Sequence, residues 1–500
     1  STLQNLTVDE LNRTALDIFS DENILITILG PRKDNIVYPQ DEELIATVQN
    51  AGKLEITPYV HRVLKATRLM TQKPQAGTIR EEKKNDIVGT VEWTLSNGAK
   101  VIVKSYPSKK DIIDIKAYSK GGTSILPDNE LANGAMANNF CRLMGVKDFS
   151  RSDLKQINAG KIVSISPEIG EYYETLSGYA ASRDLETLMQ MIYLYITAPN
   201  FDKQEFNRQL EKIKSTLTNR QGLPKTEYDR EIRAIKYNNH PRKASMTLEK
   251  ANTITFEGAK QIYEERFANA GDFTFIFTGN IDLANFKPLV ETYLASLPTT
   301  GVKQNYKDNQ IRYAKGKIIK HIEKDLTTDK ASISVLYTAK LPYSAENKVL
   351  SAAFRYILRD RYMKSIREEK GGAYSVSVNA TEEALPTNTI TIEVNFDTAP
   401  TMADEMLEIV QKEVDDIAKN GPSPFELENA QRYFNKLYKT GISSNSYWTE
   451  TLTDYYQYGI DNFTNYEKMM NALTPSDIRK FAKTVFGQKN KMEFVLLPKK

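Results

Sequence analysis

Three stretches of the chain share one order of apolar and polar positions. Residues 6–31 (LTVDELNRTALDIFSDENILITILGP), 254–280 (ITFEGAKQIYEERFANAGDFTFIFTGN) and 473–499 (LTPSDIRKFAKTVFGQKNKMEFVLLPK) each read as a threonine cap, an amphipathic helix ending in an aromatic residue, a polar turn and an apolar strand. In the first copy Thr7 and Glu10 stand at capping-box spacing, and Leu11, Ala15 and Ile18 share one helical face. The strand at 24–29 is apolar throughout, which predicts burial on both faces. A pattern that recurs and ends the chain is most simply a module terminus. The sequence is therefore read as the tail of one module followed by two complete ones.

The same patterning divides the rest. A helix over 41–50 follows Pro39, and the mixed Pro, Gly and charge of 71–91 predict a linker between a remnant at 1–70 and a module at 92–305. That module opens on Trp93-Thr-Leu-Ser-Asn-Gly98, where Asn-Gly between apolar runs predicts a hairpin. Ile112, Ile115 and Tyr118 continue as a strand that Gly121-Gly122 ends, and 172–179 is extended. Leu185, Leu188, Met189, Ile192 and Ile196 recur at helical spacing until Pro199. Asp202 with Glu205 caps the next helix, and 227–237 is a further one before Asn239-His240-Pro241. The second module, 306–500, has strands at 317–323 and 331–338, a long helix from Ala345 to Glu369 ended by Gly371-Gly372, and strands at 373–379 and 389–396. Helices follow at 400–419, 424–440 and 446–459, the second capped by Ser423-Pro424 and Glu426. Both modules run strand, strand, helix, hairpin, helices, helix, strand. This is an α+β class in which a mostly antiparallel sheet packs on a helical layer.

Composition narrows the function classes. Lys+Arg 67 against Asp+Glu 64 is near balance, and no basic block interleaves with aromatic residues, which argues against a nucleic-acid partner. No apolar run reaches the roughly 18–20 residues that span a bilayer. Localisation stays open, with the periplasm or cell envelope expected if a signal peptide precedes residue 1. The single cysteine, Cys141, excludes an internal disulfide; beside Phe140 and Leu143 it reads as a buried thiol. The three histidines, His61, His240 and His321, lie far apart, and no His-x-x-Glu-His or His-Glu-x-x-His places two imidazoles on one helix face. His61 reads as a surface residue, His240 as a turn residue and His321 as an edge or cross-strand residue, so this chain has no metal site of its own. The pairs Gly121-Gly122 and Gly371-Gly372 lack any phosphate-loop pattern and read as terminators.

One segment carries more. In Ile366-Arg-Glu-Glu-Lys-Gly-Gly-Ala-Tyr-Ser-Val376, Arg367 lies on the last turn of a long helix, Gly371 and Gly372 release the chain, and Tyr374 begins a strand. A short loop joining a helix end to a strand start aims a guanidinium and a phenol at one spot, where both can donate to a peptide carbonyl or an oxyanion. The plain alternative is that Arg367 caps the helix C-terminus and Tyr374 is half buried.

Here the chain resembles the pitrilysin (insulysin-type, inverzincin) zinc metallopeptidases. TLSNGAKVIVK with AYSKGGTS (94–104, 117–124), NNHP (238–241), FTGN-ID (277–282) and above all IREEKGGAYSV (366–376) carry the resemblance, which extends over essentially the whole chain. It implies four homologous α+β modules in two halves, with zinc ligands and base in the first module and Arg and Tyr in the last. Arg367 and Tyr374 keep the family's seven-residue spacing. The segment matching the zinc helix is GAMANNFCRLMG (134–145), whose ligand and base slots fall on Ala137, Phe140 and Cys141. The resemblance thus implies the C-terminal, non-zinc half of a peptide hydrolase, inactive alone, with zinc in a missing N-terminal half. That half and peptide substrates are the expected partners. A non-catalytic scaffold or peptide-holding protein of the same fold is the alternative, and a separately encoded subunit of a heterodimeric peptidase a third.

Overall fold

The computed structural model describes residues 5–18, 23–30, 36–51, 53–55, 57, 68–106 and 111–499. The chain divides into two compact units, 1–65 and 66–500. In the first, Val8–Ile18 and Asp41–Ala51 are helices. The Thr7 main-chain N–H donates to the Glu10 carboxylate at 2.8 Å and the Glu10 N–H returns to Thr7 Oγ1 at 3.3 Å, completing the expected cap. The apolar run 24–29 is not a strand. Leu25 and Leu29 are 89% and 98% exposed, because among the described residues no neighbouring strand supplies main-chain partners, and a lone strand is not stable. His61 lies outside the described residues.

In the second unit the strands are β1 (Ile79–Asn85), β2 (Thr90–Leu95), β3 (Lys100–Ser105), β4 (Ile112–Lys120), the short β5 (Gly145–Val146), β6 (Val163–Ile169), β7 (Tyr173–Ala181), the short β8 (Pro199–Asn200), β9 (Thr274–Gly279), β10 (Lys317–Lys324), β11 (Ala331–Lys340), β12 (Ser377–Glu383), β13 (Thr389–Thr398) and β14 (Lys491–Pro498). They form a seven-stranded sheet ordered β1-β2-β3-β9-β4-β7-β6 and a five-stranded sheet ordered β10-β14-β11-β13-β12, while β5 pairs with β8. Strand for strand, β3-β9-β4-β7-β6 corresponds to β10-β14-β11-β13-β12. In each the closing strand runs parallel to the opening one and antiparallel to the next.

The α+β class and the closing helix–strand units stand as expected, the latter as helices Phe256–Phe267 and Pro475–Phe486 before β9 and β14. Two readings are corrected. Within the supposed linker 71–91, Ile79–Asn85 is a strand paired antiparallel with β2. Its sequence IREEKKN is that of a charged edge strand, which protects a sheet from unwanted pairing and is compositionally like a linker. The strand expected at 373–379 begins only at Ser377. The capped helix Arg151–Ile157 and the edge strand β6 went unread, although Ser150 and Asp153 form a capping box there.

Each sheet packs one face on its own module's helices and lends the other to the partner module. Val101, Val103, Phe275 and Phe277 face Phe140, Leu188, Ile192 and Ile262 in the first core. The alternate residues Ile102, Tyr118 and Ile276 point the other way and meet Leu452, Tyr455 and Tyr456, on the second module's helix Asn445–Tyr458. Conversely, Leu336, Met492, Phe494 and Leu496 on the outer face of the second sheet are covered by Tyr228, Ile232 and Ile235, on the first module's helix Pro224–Lys236.

The connection over residues 299–314 is pinned down its length. Asn269 Oδ1 accepts from Thr299 Oγ1 (2.9 Å) and the Thr300 N–H (3.0 Å), and Asp272 accepts from the Gln304 N–H (2.8 Å). The His240 ring donates through Nε2 to the Asn309 carbonyl (3.0 Å) and accepts at Nδ1 from the Arg242 N–H (3.3 Å), so the turn histidine is a clamp. Beneath the strap, Glu174 Oε1 accepts from the Gly122 N–H (3.0 Å) and from Arg266 (3.2 Å), which also donates to Gln304 (2.7 Å). Glu174 is only 1% exposed, its Oε2 has no partner, and burial pushes its carboxyl up to about 7 against the pull of Arg266.

Two outcomes are expected. Leu452→Ala should cost about 2–5 kcal/mol by urea denaturation, and near-ultraviolet signals from Trp93 in the first module should melt earlier together with those of the second. Glu174 binds its proton more tightly folded than unfolded, so its contribution is full below the ordinary value of 4.5 and is lost as pH rises through about 7. The unfolding free energy of the parent relative to Glu174→Gln, followed from about pH 4 to about pH 8, should therefore fall as pH rises.

Candidate functional site

The site is built at the end of the long helix Ala345–Tyr362. Ser344 caps its start by accepting from the Asn347 N–H at 3.2 Å. Its far end is held by Arg361, whose side chain lies among three carboxylates: Glu426 at 2.6 Å, Asp416 at 2.7 Å and Glu413 at 3.6 Å. This fixes the helix against Ala403–Lys419 and Pro424–Gly441. The helix then widens into a π-type turn over Met363–Glu369, a form often found at functional sites.

Two glycines stop it. The Gly371 N–H donates to the Arg367 carbonyl (3.0 Å) and the Gly372 N–H to the Ile366 carbonyl (2.8 Å). Gly371 has φ 60°, a conformation that costs other residues about 1–2 kcal/mol. A Cβ on Gly372 would lie 2.1 Å from Met406 Sδ, so only glycine lets the chain pass against that buried side chain. Ala373 and Val376 are buried and turn Tyr374 and Ser375 outward. Tyr374 is 88% exposed, and its ring centre is 5.5 Å from the Arg367 guanidinium carbon, a cation–π distance. The structure thus brings the two together, both in contact with solvent. Arg367 stays on the last turn of the helix, exposed, and Tyr374 is not half buried.

Tyr374 stands at the rim of a groove of about 950 Å³. One wall is the loop 371–375, the other is the first module's helix Pro224–Lys236, and the floor is the polar outer face of β11 and β13. Some of the groove's polar groups pair with one another: Lys236 with Glu393 at 2.9 Å, Ser332 donating to Asp397 at 2.7 Å and, on the helix wall, Lys225 with Asp229. No motif marked this groove. Its only trace in sequence is the spacing of Tyr228, Ile232 and Ile235, which seats the helix that walls it.

The segment that the resemblance equates with a zinc helix forms the helix Leu131–Phe140, and the residues in the expected ligand slots do not fit a metal. Ala137 is a buried methyl. Phe140 stacks on Phe201 at 5.8 Å and meets Phe206 edge-on at 5.7 Å. Cys141 is buried, and burial pushes its thiol well above the usual range, so it is neither a ready thiolate ligand nor a nucleophile. Among the described residues no three His, Cys, Asp or Glu side chains gather as a metal needs. His321 lies on the edge strand β10 and meets Glu493 across to β14 at 3.3 Å.

The second unit is two α+β modules, each with its closing strand set inside its sheet, and residues 253–434 match the family described as Peptidase M16 inactive domain. The chain is homologous to the PqqL-like zinc proteases of the M16 family. It is 21% identical over 459 residues to a zinc protease PQQL-like protein of Arabidopsis thaliana, covering 89% of this chain and 43% of that protein. It is 23% identical over 352 residues to a probable zinc protease PqqL of Haemophilus influenzae, covering 69% and 37%. The crystal structure of the periplasmic protease PqqL from Escherichia coli superposes with a TM-score of 0.77 at 21% identity, over 92% of this chain and 51% of that one, which shows the shared fold. The chain spans about half the length of these relatives or less.

Arg367→Ala and Tyr374→Ala, both at exposed positions, should leave the thermal midpoint nearly unchanged, within about 0.5 kcal/mol. Gly372→Val should cost about 1–3 kcal/mol by overpacking against Met406. Differential scanning calorimetry of the three variants checks the contrast.

Proposed function

We propose that this chain is the substrate-binding, non-zinc half of a zinc metalloendopeptidase that hydrolyses peptides. The observation that carries the reading is the exposed Arg367–Tyr374 pair at the mouth of a large groove, in a chain homologous to zinc proteases whose own zinc-helix slots are apolar. Arg367 presents a forked set of N–H donors and Tyr374 a hydroxyl. Together they would hold a substrate carbonyl and stabilise the negative charge that develops on its oxygen. Zinc, the attacking water and the base would reside in a complementary half that includes a zinc-binding module, so this chain alone is inactive. A periplasmic setting is proposed because the E. coli protein of the same fold is described as periplasmic.

The match to an inactive domain also fits a non-catalytic peptide-holding protein. One experiment separates the readings. A quenched fluorescent peptide is offered to this chain alone, to a complementary zinc-binding half, and to the two mixed. Turnover is expected only in the mixture. Arg367→Ala should lower its kcat by about 10²–10³, the loss seen when one oxyanion donor is removed. A fully active Arg367→Ala mixture, or zinc-dependent turnover by this chain alone, removes the proposal; an inactive mixture favours the peptide holder.

A further inference from the structure

The second sheet has an unpaired stretch beside the Arg367–Tyr374 pair. β13 pairs with β11 along its whole length, from Thr389 to Thr398. Its other neighbour, β12, begins only at Ser377, opposite Asn395. Phe396, Asp397 and Thr398 therefore have a strand on one side only. The chain that would complete the ladder, Ala373–Val376, does not alternate as a strand would: Ala373 and Val376, three residues apart, are both drawn into the helical core, with Tyr374 and Ser375 exposed between them. No main-chain hydrogen bond joins it to 396–398 among the described residues. The groove opens between these two segments and is lined by both.

Two further facts bear on what enters it. Thr398 lines the groove and is 95% buried, with 5% of its surface exposed. Its Oγ1 has no hydrogen-bond partner, which leaves a polar group whose desolvation is uncompensated. Among the groove's side chains, Lys236 already pairs with Glu393, and Ser332 donates to Asp397. The strand edge has no such partners, and what completes an unpaired strand edge is main chain.

We propose that the unpaired edge of β13 at Phe396–Thr398, facing the detached segment Ala373–Val376, takes an extended peptide main chain as an added strand. This rests on the peptide-binding role proposed above and gives it a binding mode. Strand addition draws affinity from main-chain hydrogen bonds and leaves side chains to neighbouring pockets, so recognition here is tolerant of peptide charge. The added strand runs past Tyr374, which puts one of its carbonyls within the reach of the Arg367–Tyr374 pair. Filling the edge also supplies polar main-chain atoms beside Thr398.

The test uses the full 500-residue chain and a fluorescein-labelled peptide of about ten residues, the length scale of strand-addition ligands. Two further peptides carry N-methyl groups on the odd or on the even amides, because only alternate amides of an added strand face its neighbour. Fluorescence anisotropy should show binding of the parent peptide, and one methylated set weakened about tenfold or more relative to the other. Hydrogen exchange on binding should slow at 373–377 and 395–399. Thr398→Val, which removes the unpartnered hydroxyl, should weaken binding several-fold without lowering the thermal midpoint. Equal affinity for both methylated sets, protection confined to other segments, or no binding overturns the inference. Strand-type binding in a mixture that never turns substrate over leaves this inference standing while the catalytic proposal falls. Turnover without it does the reverse.

Discussion

The second unit depends on an exchange of helices. A sheet whose strands are apolar on both faces must be covered twice, and each module's own helical layer covers one face only. The first module's other face is closed by Asn445–Tyr458 of the second, and the second module's other face by Pro224–Lys236 of the first. Polar contacts fix the register of the exchange: Thr278 Oγ1 meets Thr449 Oγ1 at 2.9 Å, and Asn445 donates to the Ile112 carbonyl at 2.7 Å. Neither module completes its burial without the other. That coupling sets the position of the groove, since the covering helix Pro224–Lys236 packs on β10 and β14 and lines the groove beside β11 and β13.

The local elements were legible because their signals are local. Asn97-Gly98 makes the hairpin turn, with Gly98 at φ 94° and Asn97 Oδ1 accepting from the Ala99 N–H at 3.2 Å. Asp202 accepts from the Gln204 and Glu205 N–H groups as a cap must, and Ser423 with Glu426 forms a capping box. Arg367 and Tyr374 come together because a helix stop and a two-glycine loop have short reach. What stayed hidden depends on distant chain. Tyr228, Ile232 and Ile235 have the spacing of any amphipathic helix, which names a buried face but not the sheet it meets. IREEKKN pairs as an edge strand though its charge resembles a linker. The run 373–379 has alternating apolar residues at Tyr374, Val376 and Val378, but Gly371-Gly372 and the burial of both Ala373 and Val376 keep its first four residues out of the ladder. The run at 24–29 has strand composition and no neighbour among the described residues.

The helix Leu131–Phe140 and the residue after it serve the first module's core. Phe140 and Cys141 fill the space with aromatic and thiol bulk, and Phe201, Phe206 and Tyr263 stack around them. Apolar residues there remove the desolvation penalty that metal ligands would carry in a site without metal. The helix Leu131–Phe140 is left as a structural member packed on Phe256–Phe267, and the exposed chemistry of the chain is concentrated on the other module.

The placement of the closing strands also bears on the order in which the modules are made. β9 lies between β3 and β4, and β14 between β10 and β11, so the last strand of each module to leave the ribosome takes an interior place in its sheet. Until it arrives, the opening strand has no neighbour on that side and the two parts of the sheet stay unjoined. Such long-range pairing makes for slow, late-committing folding. Each module then completes its sheet only when synthesis has reached its final residues, and the helix exchange can close only after both are finished. Until its closing strand arrives, each module leaves the apolar edges of β3 and β4, or of β10 and β11, without the neighbour that joins them.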